Sequence, residues 1–349
     1  MYKYYFLLVL TLGLAQCKND KKEQVDESDT KINPHSGEAL AVTLDGERLL
    51  KWVDSDSIWA LRDENIKNSR MAYLSKIEDP KSYLNYARAY SQSGKVENAI
   101  DILSKGITKF PDVADFYVYR GENMLLGRQL TECVDNFWKA GQKLEKSGVS
   151  SGLIGMVEED SIANMSLSYR NYLMMAIAFY CNNDMSSADK FFEVCGDFST
   201  NSDLWIRSYY WQYACYSRSN RVAEAKNILK NLSEDMQILP SSKPYLDAMK
   251  FYKGLIKDND LVDPEFKPNS LKDAKPWLIK MHAVGLKNLL EGNMDKATTY
   301  FLKMKQCGYW NTIEVLVAEA ELMRIAGKKY QEPEKIELNS NQKKKPNQQ

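Results

Sequence analysis

From residue 80 onward, apolar positions recur at three- and four-residue spacing, which predicts helices that each bury one face. Tyr83, Tyr86, Ala87 and Tyr90 fall at i, i+3, i+4 and i+7. Gly94 ends that helix, and Ala99, Leu103 and Gly106 mark a second one before Pro111. The pattern returns 34 residues later: Tyr83 maps onto Tyr117, Ala87 onto Gly121, Ala99 onto Cys133, Leu103 onto Phe137 and Gly106 onto Ala140. Small residues fall on small ones and large on large. Paired helices need that pattern, because small side chains let two backbones approach and neighbouring large ones fill the spaces left.

Further copies follow. Tyr172, Met175, Ala176 and Phe179 precede Met185, Ala188, Phe192 and Cys195. Met281, Val284, Gly285 and Asn288 precede Gly292, Met294, Ala297, Phe301 and Met304 in the same register. A weaker copy runs Tyr209, Tyr213, Tyr216, Asn220, Val222, Ala225, Leu229 and Leu232, with Tyr213 where a small residue is expected. This arrangement resembles the tetratricopeptide repeat, a helix-turn-helix unit that stacks into a solenoid. The resemblance covers 80–144 and 172–304. It implies an all-α fold, a right-handed superhelix over 41–327.

Between and around the copies the pattern weakens. Glu145 to Ser168 is charged and contains Gly and Ser, so a loop and a short helix are expected there. A helix is expected from Lys243 to Ile256, then a long loop or degenerate helix from Asp258 to Pro276. Ile313, Val317, Ala320 and Met323 predict a terminal helix over Asn311 to Ala326 that covers the last apolar edge. Helices within Leu49 to Ile77 are expected to cap the other end. The lysine-rich stretch 328–349 reads as a disordered tail.

The N-terminus carries an address. Lys3 precedes an apolar run from Phe6 to Ala15, too short to span a bilayer core and suited to an export signal. The run ends Leu14-Ala15-Gln16-Cys17, which resembles the lipobox of bacterial lipoproteins, with Gln16 where that family normally has Gly, Ala or Ser. The resemblance implies a signal over 1–17, acylation of Cys17, and a membrane-anchored protein on the periplasmic face or the cell surface of an outer membrane. Residues 18–40 are polar and charged and read as a disordered tether. Cys17 followed by Lys18-Asn19-Asp20-Lys21-Lys22-Glu23 looks like exported lipoproteins of Bacteroidetes-type bacteria.

Charge narrows the field. Lys+Arg and Asp+Glu are both 47, so no basic field argues for nucleic-acid binding. With 17 Gly and 10 Pro in 349 residues, turn-formers are scarce, which favours long helices.

Catalytic chemistry is thin. The two histidines, His35 and His282, stand apart from any nucleophile. Gly148-Val149-Ser150-Ser151-Gly152 matches a hydrolase pattern, but it follows an amphipathic helix end rather than a strand and reads as coincidence. Cysteines 133, 181, 195, 215 and 307 lack zinc spacing, and a Cys181–Cys195 bridge is a minor alternative to buried thiols. No metal, cofactor or enzymatic activity is expected.

The family's inner face, built from the first helix of each unit, commonly binds peptides. Carried over, it places Leu84, Arg88, Gln92, Glu122, Tyr180, Tyr210, Arg218 and His282 as candidate partner contacts. The Lys, Asn and Arg set of a carboxylate clamp is missing. A scaffold that binds a protein or peptide partner is therefore the favoured function. A glycan-capturing lipoprotein is the alternative, since 7 Trp and 21 Tyr offer rings for stacking.

Overall fold

Links of three residues, at 93–95, 127–129, 182–184, 219–221 and 291–293, join successive helices into pairs. The structure, a computed structural model, describes residues 39–51, 54–148, 152–153 and 164–331, all within one compact unit. A two-stranded hairpin comes first: β1 (Ala41–Val42) and β2 (Arg48–Leu49) pair antiparallel with Ala41 opposite Leu49. Then follow α1 (Asp56–Ser75), α2 (Pro80–Gln92), α3 (Val96–Lys109), α4 (Ala114–Leu126), α5 (Leu130–Ser147), α6 (Leu167–Cys181) and α7 (Met185–Asp197). The chain continues as α8 (Ser202–Arg218), α9 (Val222–Lys230), α10 (Lys243–Tyr252), α11 (Asp258–Leu261), α12 (Leu271–Leu290), α13 (Met294–Gln306) and α14 (Ile313–Ile325). Apart from the hairpin, the described residues form an all-helical fold.

Each pair turns by the same local device. Gly94, Arg128, Asn183, Asn220 and Gly292 have φ between 57° and 82°, the left-handed region. The next N–H reaches back five residues to a helix carbonyl: Lys95 to Tyr90 (3.1 Å), Gln129 to Met124 (2.8 Å), Asp184 to Phe179 (2.9 Å), Arg221 to Tyr216 (2.8 Å) and Asn293 to Asn288 (2.8 Å). These bonds satisfy carbonyls that the helix end leaves without partners. Glycine and asparagine adopt this conformation readily, whereas Arg128 holds it at a cost of roughly 1–2 kcal/mol. Gly254 and Gly327 end α10 and α14 in the same way.

The 34-residue correspondence is physical. Ala99, Leu103, Cys133, Phe137, Ala140, Ala188, Cys195, Ala297 and Phe301 are all fully buried. A Cβ added to Gly121 would lie 2.7 Å from the Phe137 ring, and one on Gly285 the same distance from Phe301. Helices α4 and α5, and α12 and α13, approach as closely as they do because those Cβ atoms are missing. Tyr213, the large residue at the small position, stacks instead on Tyr252 of α10, with ring centroids 4.3 Å apart.

Most successive helices pack on their sequence neighbours, and first helices also touch one another: α2 with α4, α4 with α6, α8 with α10 and α12, and α12 with α14. The contact that spans the most chain among these helices is made by α14. Helix α14 packs on α6 as well as on α12 and α13, bringing residues about 140 positions apart together. It is buried on almost every side, including Glu314, Glu319 and Glu321. A helix apolar on one stripe caps an edge; a helix covered all round is a core element. So α14 does more than the edge cover expected of it.

Other expectations shift at the ends. The described residues begin in the hairpin, where the Leu40 N–H bonds Leu49 O at 2.8 Å, so the described stretch before α1 is not wholly helical. Tyr330, expected in the tail, donates its hydroxyl to Arg128 O (2.7 Å) and accepts from Leu130 N–H (3.0 Å). Helix α12 starts five residues ahead of Pro276 and runs through it, capped by the Ser270 side chain and anchored by buried Ala274, Trp277 and Leu278. A proline so near the N-terminus removes only one helix hydrogen bond. The export signal with Cys17, most of the tether, 149–151, 154–163 and 332–349 lie outside the described residues.

Candidate functional site

The first helices α2, α4, α6, α8 and α12 carry all eight candidate partner contacts. The structure divides them into two groups, one enclosed and one open.

Tyr180, Tyr210, Arg218 and His282 form the enclosed group, against α14. The Tyr180 hydroxyl donates to Glu321 Oε1 at 2.6 Å. Arg324 donates to both Glu321 oxygens (2.7 and 3.2 Å) and to the Tyr180 carbonyl (2.8 Å). Arg218 Nε lies 3.2 Å from Glu321 Oε2 as an ion pair, without hydrogen-bond alignment. Burial pushes the Glu321 carboxyl up, but the two guanidiniums and the bonds from Arg324 and Tyr180 outweigh it and leave the group down at about 2. Burial raises the Tyr180 phenol well above its usual value, with Glu321 adding to the effect.

His282 is fully buried beside Tyr210, whose hydroxyl meets both Ile279 O (3.1 Å) and His282 Nδ1. If the phenol donates to the carbonyl, Nδ1–H donates to the phenol oxygen and Nε2 is left as an acceptor, which has no partner. Burial holds this imidazole neutral, with a pKa down at about 4. Glu321 is fully enclosed, while the Arg218 side chain beside it keeps about a fifth of its surface exposed.

Leu84, Arg88, Gln92 and Glu122 form the open group, around a cavity of about 90 Å³ between α2, α4 and α6. Leu84, Ala87, Leu103 and Tyr119 supply its apolar part, and Arg88, Gln92, Glu122, Asn123 and Arg170 its polar part. Arg170 forks onto Glu122, with Nη2 at 3.0 Å from Oε2 and Nε on Oε1, and its guanidinium sits over the Tyr119 ring. Burial raises the Tyr119 phenol, and Arg170 and Arg88 oppose that shift. Asn123 donates to the Tyr119 carbonyl at 2.8 Å, while its own side-chain oxygen is buried without a hydrogen-bond partner. Gln92 is exposed at the rim and Arg88 half-buried.

The repeat pattern did not single out Tyr119, Asn123, Arg170, Glu321 or Arg324. Their signal is pairing across units, at separations such as 48 and 141 residues, which no periodicity along the chain encodes. Gly148 of the hydrolase-like pattern caps α5 in the left-handed conformation, its N–H bonded to Leu144 O at 3.1 Å. Cys133, Cys181, Cys195 and Cys215 are buried free thiols, and burial pushes Cys181 up to about 12. Among the described residues no cluster of His, Cys, Asp and Glu is placed to hold a metal ion, and no helix is long and apolar enough to cross a membrane. No protein-family model matches the chain, and comparison with curated proteins finds no match either.

Proposed function

We propose that this chain is a non-enzymatic scaffold of the tetratricopeptide-repeat type, anchored to a membrane of the cell envelope through a lipid on Cys17. It binds a protein or peptide partner and neither nucleic acid nor a cofactor. The observation that carries this reading is the cavity between α2, α4 and α6. It combines an apolar floor at Leu84 and Leu103 with an Arg88 and Gln92 rim, on the face of the first helices that α14 leaves uncovered. A small apolar depression ringed by arginine and aromatic groups suits the anchor side chain of an extended segment. The regular turns at Gly94, Arg128, Asn183, Asn220 and Gly292 support the repeat assignment. The short apolar run ending at Cys17 supports export and lipidation.

A photo-crosslinking residue at position 92 in intact cells, followed by mass spectrometry, tests the partner. One protein recovered near stoichiometry, and lost in an Arg88→Glu variant that keeps its helicity, is the expected result. No enriched protein at this position would overturn the scaffold reading. Labelling with a palmitate analogue tests the anchor, since a Cys17→Ala chain that still labels would remove it.

A further inference from the structure

Helix α9 has 9 residues, whereas its counterparts α7 and α13 have 13 each. The shortened helix leaves part of α8 uncovered, and a cavity of about 460 Å³ opens between the two. That volume lies within the range of small-molecule sites. The side chains that matter are Tyr209, Gln212 and Tyr216 from α8, Glu224 and Asn227 from α9, and Asn231 just beyond.

Their chemistry is specific. Three carboxamides line one cavity, each with donors and an acceptor. Gln212 Nε2 donates to the Tyr216 hydroxyl at 2.9 Å, and Asn231 Nδ2 donates to Asn227 Oδ1 at 3.3 Å. The carbonyl oxygens of Gln212 and Asn231 and the amide nitrogen of Asn227 remain for a ligand. Tyr209 contributes a half-buried ring, tilted at 48° against the partly exposed Trp205 with centroids 5.4 Å apart. Charge is nearly cancelled: Glu224, the one carboxylate lining the cavity, is paired with Arg221 Nε at 2.9 Å. No lysine or arginine lines the cavity, and Arg221 beside it, over the Tyr216 ring, is already paired with both Asp189 and Glu224, which disfavours a phosphate or carboxylate ligand.

We propose that this cavity binds a neutral carbohydrate. A sugar ring presents an apolar C–H face to Tyr209, and its hydroxyls, which both donate and accept, meet the three amides. An apolar peptide side chain would instead leave those amides unpaired on burial. The inference is independent of the scaffold reading, because the two cavities lie on different helix pairs.

The full chain, solubilised in detergent, is screened on an array of neutral and acidic glycans, and hits are followed by saturation-transfer NMR. Wild type binds a neutral glycan, and saturation passes to one C–H face of a ring. Asn227→Ala, at an exposed position, and Tyr209→Ala each weaken that binding by about tenfold. Gln92→Ala leaves it unchanged. Absence of any neutral-glycan signal, binding of acidic glycans alone, or neutral binding that survives both α8–α9 substitutions would overturn the proposal.

Discussion

Arg128 of the α4–α5 turn and Glu319 of α14, 191 residues apart in the chain, form a forked ion pair with no solvent access. Nη2 lies 2.6 Å from Oε1 and Nε 3.2 Å from Oε2. Arg128 also donates to the carbonyls of Leu126 and Trp310, and the Leu44 N–H of the β-hairpin donates to Glu319 Oε2 at 3.0 Å. One carboxylate thus joins the hairpin, the α4–α5 turn and the last described helix. The Arg128 backbone strain is tolerated because three sets of acceptors hold its side chain.

Removing one member leaves the other charged and buried. Glu319→Ala should destabilise the fold by about 3–5 kcal/mol. Arg128→Leu combined with Glu319→Leu should cost less than the sum of the single changes. Urea denaturation of the four chains checks this; additive losses would mean that the pair is not coupled.

Acid should weaken the fold in two stages. The folded pKa of His282, about 4, lies below its ordinary 6.5. Its contribution is therefore complete above pH 6.5 and falls as pH drops towards 4, because the unfolded chain takes up the proton first. Glu321, at about 2 against an ordinary 4.5, contributes fully above pH 4.5 and loses that contribution as pH falls towards 2. Denaturation midpoints across this range should lose the upper stage in His282→Asn and the lower stage in Glu321→Gln. Unchanged profiles would contradict the burial of these groups.

Gly121→Ala should cost about 1–3 kcal/mol, because the new Cβ meets the Phe137 ring at 2.7 Å. Phe137→Leu in the Gly121→Ala background should recover part of the loss if crowding is the cause. Thermal melts of the single and double variants measure it.

The two groups of inner-face residues should separate in the same assay. Arg218→Glu puts a second carboxylate beside buried Glu321 and should destabilise by several kcal/mol. Gln92→Ala, at an exposed rim position, should stay within about 0.5 kcal/mol of wild type while reducing partner recovery. A stable Arg218→Glu protein would mean that α14 does not seal that end.

The helix pairs are legible in the chain because the forces that specify them are local. Tyr83 to Tyr90 and Ala99 to Gly106 place apolar and small residues at helical spacing, and Gly94 and Gly292 mark turns that need a left-handed residue. Arg128 occupies the same turn position unannounced, since its conformation depends on distant acceptors rather than on its own backbone preference. The inner face is only half legible. Repeat register assigns Tyr180, Tyr210, Arg218 and His282 to the first helix of a pair, yet cannot tell that α14 will pack against them. Three glutamates in α14 suggest an exposed helix by composition, and they are buried because arginine and tyrosine side chains from α6, α8 and the α4–α5 turn meet two of them. Local periodicity therefore settles which segments pair, whereas the path of the whole chain decides which surfaces remain open. Burying a charged helix is favourable only where its counter-charges converge in three dimensions.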